Sequence, residues 1–355
     1  MSTTRDVTVD QVLKMVAPGT QLRDGIERII GAGRGALIVI GWNEEVASVV
    51  SGGFIIDADL TSQHLAELAK MDGAIIVDRE TKRIVRANVH LVPGAGLPTS
   101  ETGTRHRSAE RTARHCHVPV VSVSESMRLV TLYFGNRKRQ LEDIGSLLIK
   151  ANQALQTLER YRSRVDEVTA TLSAREVEDN VTLRDVVVVL QRVEMVRRIA
   201  EEVGDYVVEL GSEGRLIRLQ LEELVSRVDD DRELLVRDYI ADRRRKASGP
   251  IAELDAMSTE ELLELDSIAR ALGYNDGDDL EMAVAARGFR LLSKMPRLPD
   301  TIVIRLVQTF ASLPRMLHAS IDELTELEGV GEARARMIRE GLRRLAASSV
   351  RDRVI

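Results

Sequence analysis

Five consecutive residues, Thr104-Arg105-His106-Arg107-Ser108, crowd two guanidinium groups, an imidazole and two hydroxyls into one short stretch of chain. Guanidinium forks match phosphate oxygens in pairs, and the imidazole adds a donor or a titratable group. The hydroxyls stand at the start of a helical pattern that begins near Ser108. That much charge suits a triphosphate, although a solvated basic loop carries the same residues. Upstream, Asp72 and Gly73 precede the apolar run Ala74-Ile75-Ile76-Val77-Asp78. An acid at a strand's mouth can hold a divalent metal or orient a hydroxyl, and a glycine beside it removes the Cβ that would keep a nucleotide away. An Asp-Gly pair is equally a plain turn. Together the two stretches point to a nucleotide and metal site. It would be built without a G-x-x-x-x-G-K-[ST] loop, which occurs nowhere in the chain.

A third stretch suggests a different ligand. Gly329-Val330-Gly331 separates an apolar-periodic segment ending at Glu328 from an amphipathic helix carrying Arg334, Arg336, Arg339, Arg343 and Arg344. Two glycines around one aliphatic residue let the backbone approach a phosphate closely, and the helix start behind them offers free N–H groups and a positive dipole end. This is a helix-hairpin-helix pattern, whose contacts read the nucleic-acid backbone rather than base edges. Sequence-independent DNA binding by Gly329, Val330, Gly331, Arg334 and Arg336 is the expectation, against an ordinary helical hairpin. Charge agrees. The chain carries −6 overall, but residues 286–355 hold 13 Lys and Arg against 8 Asp and Glu, a basic end on an acidic body. The segment 295–317 resembles a partner hairpin without the Gly-x-Gly, and is expected to pack rather than grip.

The elements that must position these residues fall into three zones. At 355 residues the chain is too long for one typical domain. Apolar runs at 35–41, 52–57, 73–78, 83–91, 118–124 and 128–135 alternate with helical spacing at 60–70, capped by Thr61 or Ser62. They give an α/β domain, residues 1–136, with a central mixed sheet. Residues 137–285 read as an all-α spine. In it Leu141, Leu148 and Leu155 recur at seven, as do Ile144, Ala151, Leu158, Val165 and Leu172, which predicts a long helix over 137–172. Further helices over 182–203 and 213–246 are expected to break at Gly204, Gly211 and Gly214. A linker is expected at 246–250, and residues 286–355 form the helix-hairpin-helix zone.

Composition closes off several classes. Hydrophobic residues at 44% and charged ones at 30% exclude a disordered or collagen-like chain. No uncharged apolar stretch approaches the ~18 residues of a membrane span, and the first ten residues lack a leader's apolar core, so a cytoplasmic protein with no membrane partner is expected. The one cysteine, Cys116, excludes an intrachain disulfide and a cysteine zinc site, and reads as a buried hydrophobe.

Asp72-Gly73-Ala74 followed by Gly103-Thr104-Arg105-His106-Arg107-Ser108 resembles the paired signatures of the diadenylate cyclase family, and neither motif departs from them. The order of cyclase domain, spine and terminal hairpin is similar to DNA-binding members of that family over essentially the whole chain. The resemblance implies that two ATP condense to cyclic di-AMP with loss of two pyrophosphates, at facing sites of a homo-oligomer, an octamer. It implies Mg²⁺ or Mn²⁺ on Asp72, catalytic roles for Asp72, Arg105, His106 and Arg107, and ATP contacts from Gly73, Ala74, Leu91 and residues 104–108. It also implies branched DNA as a partner and a DNA-integrity checkpoint as the setting. Two rivals stay open: a nucleotide-sensing DNA scaffold without cyclase activity, and a nuclease or nucleotidyltransferase acting on DNA. The chain shows no closely spaced carboxylate cluster of the kind a two-metal nuclease needs.

Overall fold

The computed structural model describes residues 8–94, 96–275 and 277–351, with the side chains of 348–351 left aside, so the leader reading of residues 1–7 and the last four residues lie outside it. The chain forms two compact units, 1–153 with 203–219, and 154–202 with 220–355. Among the described residues no helix is long and apolar enough to cross a membrane.

The first unit contains, in order, α1 (Val9–Met15), α2 (Gln21–Gly31), β1 (Ala36–Ile40), α3 (Glu44–Val49), β2 (Val50–Ser51), β3 (Phe54–Asp59), α4 (Ser62–Leu68), β4 (Ala74–Asp78), β5 (Arg83–Leu91), α5 (Thr104–Cys116), β6 (Val120–Val123), β7 (Val130–Phe134) and β8 (Arg137–Leu141). The sheet is mixed, in the order β2-β5-β4-β1-β6-β7-β8, with β3 also on β5. Only β1 and β4 run parallel, Ile38 opposite Ile75; the other pairs are antiparallel.

The central strands are largely apolar because both faces are covered. Ile38, Ile40, Ile75, Val77, Val121 and Leu132 pack under Val12, Leu22, Ile26 and Leu65 of α1, α2 and α4. Val39, Ile76, Val120 and Tyr133 point the other way, under Val46 and Val49 of α3 and Ala109, Ala113 and Cys116 of α5. Each fully buried aliphatic side chain contributes about 1.5–3 kcal/mol relative to exposure. Cys116 is the buried hydrophobe expected, its thiol pushed up to about 12 by burial and then by Glu45. Thr61 caps α4 through its hydroxyl, which accepts the His64 N–H at 3.1 Å.

The all-α region contains α6 (Ile144–Val177), α7 (Leu183–Leu210), α8 (Arg215–Val225), α9 (Val228–Tyr239), α10 (Ser248–Ala256), α11 (Thr259–Leu263), α12 (Leu265–Ala271), α13 (Phe289–Ser293), α14 (Asp300–Phe310), α15 (Leu313–His318), α16 (Ile321–Thr325) and α17 (Glu332–Arg351). Three expectations are corrected. The long helix does not start at Arg137: residues 137–141 pair with β7, Tyr133 opposite Lys138, and the 34-residue helix runs from Ile144. Leu141 therefore belongs to the sheet, and the heptad describes a buried seam only from Ala151 onward. Gly204 does not break α7, because one glycine costs a packed helix only about 1 kcal/mol. The segment 246–250 is not an open linker. Pro250 sits in the first turn of α10, where its missing N–H removes no intrahelical bond.

Candidate functional site

The Thr104–Ser108 motif lies at the start of α5, which begins at Thr104 rather than near Ser108. Gly103 stands at its N-cap without a side-chain cap, so the first-turn N–H groups face outward with the helix's positive dipole end. Further along, α5 itself fixes the incoming loop. Buried Glu110 accepts the Thr99 hydroxyl at 2.5 Å and pairs with Arg114 at 2.7 Å. Arg111 and Arg114 donate to the carbonyls of Leu97 and Pro98 at 2.9 and 2.6 Å.

Because β1 and β4 are parallel, the residues just before them share one edge of the sheet. Gly35 precedes β1, and Asp72 and Gly73 precede β4. Arg105 reaches across that edge, its guanidinium 3.7 Å from the fully exposed Asp72 carboxylate. The two motifs therefore meet as expected. Gly73 serves a closer neighbour than a nucleotide: a Cβ there would lie 2.4 Å from the Asn88 backbone, so the glycine lets β4 start against β5. Ala74 is buried at the head of β4 opposite Val89. Leu91 ends β5, where its register partner is Val50 of β2.

Gly35 is a site residue that sequence reasoning missed. A Cβ on it would lie 1.9 Å from an Arg105 guanidinium nitrogen and 3.0 Å from the Val123 carbonyl. In the sequence it is only the boundary of an apolar run, with nothing local to couple it to an arginine 70 positions on. Gly35→Ala should push the guanidinium off Asp72 and lower kcat/KM for nucleotide by about tenfold, since misplacement of ~1 Å can cost a hundredfold. Steady-state kinetics beside a thermal melt will check it, the fold being expected to hold because a flexible side-chain end can yield.

His106 is half-buried, its Nδ1 2.8 Å from the Tyr133 hydroxyl. Arg107 and Thr104 are exposed, and Arg107 has no hydrogen-bond or ion-pair partner for its guanidinium among the described residues. Ser108 follows, half-buried. Ser122, read as one face of a strand, is fully buried in β6. No group of three or more His, Cys, Asp or Glu could hold a metal by itself among the described residues. Asp72 still fits a hard divalent cation, because Mg²⁺-like ions keep several waters and need only one or two carboxylates besides substrate phosphates.

In the second unit, α14 to α17 share one apolar cluster, including Ile302, Val307, Met316, Leu324, Val330 and Ile338. The segment 295–317 thus packs, as expected. In the hairpin itself Gly329 takes φ +84°, which few other residues adopt, while Val330 inserts into the cluster and Gly331 stays exposed. Two of the arginines read for DNA are engaged internally. Arg334 donates to the Gly329 carbonyl, bracing the turn, and Arg336 pairs with Glu332 at 2.9 Å. Arg339 and Arg343 have no such partner among the described residues, so the charge left free is a turn or more further along α17. The zone is also tied to the spine within its unit: Asp238 accepts the backbone N–H groups of Gly288, Phe289 and Arg290, and buried Arg290 meets Glu176 at 2.5 Å.

Two family descriptions match the chain: "DisA bacterial checkpoint controller nucleotide-binding" over residues 23–138, and "DisA bacterial checkpoint controller linker region" over residues 141–281. The first covers β1 to β7 and the meeting point of the two motifs. The chain is 54% identical over 348 residues to the DNA integrity scanning protein DisA of Streptomyces griseus subsp. griseus, spanning 97% of this chain and 93% of that protein. It is also 54% identical over 357 residues to the protein of the same name from Kineococcus radiotolerans, spanning 99% of each.

Proposed function

The chain belongs to the DisA family of diadenylate cyclases, and from that premise we propose that it joins two ATP into cyclic di-AMP at facing sites of a homo-oligomer, under the control of DNA bound at its C-terminal hairpin. The observation that carries this reading is the meeting of Asp72 with Arg105 at the shared edge of β1 and β4. An acid and a basic helix start at one mouth are what a metal-bound triphosphate needs.

Members of the family depend on a divalent metal; here Asp72 would hold Mg²⁺ or Mn²⁺, which would supply positive charge to the phosphates and favour ionisation of the attacking hydroxyl. The chain's own groups do the rest. Arg105, His106 and Arg107 hold the phosphates, with Thr104, Ser108 and the first-turn N–H groups of α5, and Gly73, Ala74 and Leu91 contact the nucleotide. The negative charge that spreads over phosphate oxygens in nucleotidyl transfer is met by groups already in place. Each 3′-hydroxyl attacks the α-phosphorus of the other nucleotide, and each pyrophosphate leaves. A chain with one copy of the motifs needs a second copy facing it, and an octamer of such pairs is the proposed assembly, working in the cytoplasm as a DNA-integrity checkpoint.

Incubating the protein with ATP and Mn²⁺ and weighing the product tests the reading. Cyclic di-AMP supports it; unchanged ATP leaves a nucleotide-sensing scaffold, and a labelled or cleaved DNA strand leaves an enzyme acting on DNA. For the DNA end, Gly331 and the first turn of α17 meet phosphate, with Arg339 and Arg343 adding charge. Branched DNA, able to engage several arms at once, slows synthesis more than linear duplex of equal length. Gly329→Val with Gly331→Val should weaken DNA binding roughly tenfold or more at fixed salt and remove that inhibition, while the DNA-free rate stays unchanged. Cyclic di-AMP production against junction concentration is the measurement. Equal inhibition of both proteins would overturn this role of the hairpin.

A further inference from the structure

We propose that Tyr133 and Glu101 are positioning residues for the cyclase reaction, fixing His106 as the tautomer that carries its proton on Nδ1 and presents Nε2 to the substrate phosphates. The proposal rests on the reading of His106 as a substrate-facing residue. Tyr133 lies in β7, almost fully buried, and its hydroxyl is 2.8 Å from His106 Nδ1, with the two rings edge to face. Glu101, in the loop entering α5, meets the same hydroxyl. Lys138, directly opposite Tyr133 across the β7–β8 pair, holds Glu101 from behind at 3.0 Å. A chain of contacts thus runs Lys138, Glu101, Tyr133, His106.

The direction of the protons follows from what each group can give. Burial pushes the Glu101 carboxyl up, but hydrogen bonds from Lys138 and Tyr133 outweigh it and hold the group below its usual range, so Glu101 is ionised and can only accept. Burial, then the charge of Glu101, pushes the Tyr133 phenol up, so it keeps its single proton. That proton goes to Glu101. The phenol oxygen is then left to accept, from the Thr131 hydroxyl and from Nδ1–H of His106, which at 2.8 Å can keep its contact with that oxygen only as a donor. The imidazole is locked about that bond, with Nε2 at the outer end, on the first turn of α5 beside Arg105 and Arg107.

A phenylalanine at 133 keeps the ring and its packing while removing the one atom the argument uses. The test compares Tyr133→Phe, Glu101→Gln and His106→Ala with the parent, all full length, with ATP and Mn²⁺. Tyr133→Phe should lower kcat by roughly tenfold to a hundredfold while the KM for ATP moves less than about twofold, the signature of misplacement rather than lost binding. Glu101→Gln, on the loop and free of the core, should lower kcat in the same way and carries the test if Tyr133→Phe does not fold. Selective ¹⁵N-histidine spectra of the parent should show the His106 proton on Nδ1, and those of Tyr133→Phe a shift toward Nε2, which a packing role would not produce. Parent-like kcat in Tyr133→Phe and Glu101→Gln beside an inactive His106→Ala would overturn the proposal, as would a proton on Nε2 in the parent. Full activity in His106→Ala would instead bring down the reading of His106 itself.

Discussion

Asp72→Asn is expected to cut cyclic di-AMP synthesis by about a thousandfold or more, with folding and oligomer size unchanged. The substitution removes one negative charge and almost no volume. That charge is the one assigned to the divalent ion, and a metal's stabilisation of a nucleotidyl-transfer transition state amounts to several kcal/mol, at ~1.4 kcal/mol per decade of rate. Stability should not move, because the side chain is fully exposed and its one charged neighbour, Arg105, stands 3.7 Å away, an exposed pair of the kind that contributes little. ATP should still bind, since the phosphate-holding groups remain. Turnover and a nucleotide-binding isotherm, measured together with a melt, will decide it: near-normal turnover would remove Asp72 from the metal role, and a collapsed melt would show a structural one.

Arg105→Ala combined with Arg107→Ala should lower kcat/KM for ATP by a factor of roughly a hundred to ten thousand, with DNA affinity nearly unchanged. Charge-assisted hydrogen bonds contribute about 1.5–3 kcal/mol each, and two guanidinium groups would be lost from one triphosphate. The loss should be shared unequally. Arg105 is already committed to the mouth between Gly35 and Asp72, so removing it should cost mostly kcat, whereas the exposed Arg107 should cost mostly ATP affinity. The single variants separate the two. A double variant that kept its cyclase rate but lost DNA binding would mean that the phosphate sites at the two ends of the chain had been exchanged.

The sheet and the motifs were legible because their signals are local. Six apolar runs became six of the eight strands among the described residues; the central ones are covered on both faces and have no reason to alternate. The strand that escaped, Arg137–Leu141, is almost all charged or polar, an edge strand that carries no apolar signature, and its Leu141 happened to fall in phase with the heptad beyond it. A two-residue strand at Val50–Ser51 is likewise too short to have a period. The start of α5 was placed late because Gly103-Thr104-Arg105-His106 has few apolar residues to show helical spacing, so the motif read as a loop when it is a helical turn.

What the sequence determined by itself was the chemistry: an acid before one strand, a basic turn before one helix, a glycine hairpin before another, and the order of the three. Tertiary structure decided which groups those residues answer to. Parallel pairing of β1 with β4 put Gly35 and Asp72 on one edge, and only that pairing gave Arg105 its place between them. The antiparallel turn from β7 to β8 set Lys138 across from Tyr133 and so closed the contacts behind His106. Arg334 and Arg336 are by contrast engaged locally, with the Gly329 carbonyl and with Glu332 one turn back along α17. Residue type and spacing carry the first kind of information because they act over one turn or one strand. The second kind depends on strand register and on which charge finds a partner first, and both are settled between elements distant in the chain.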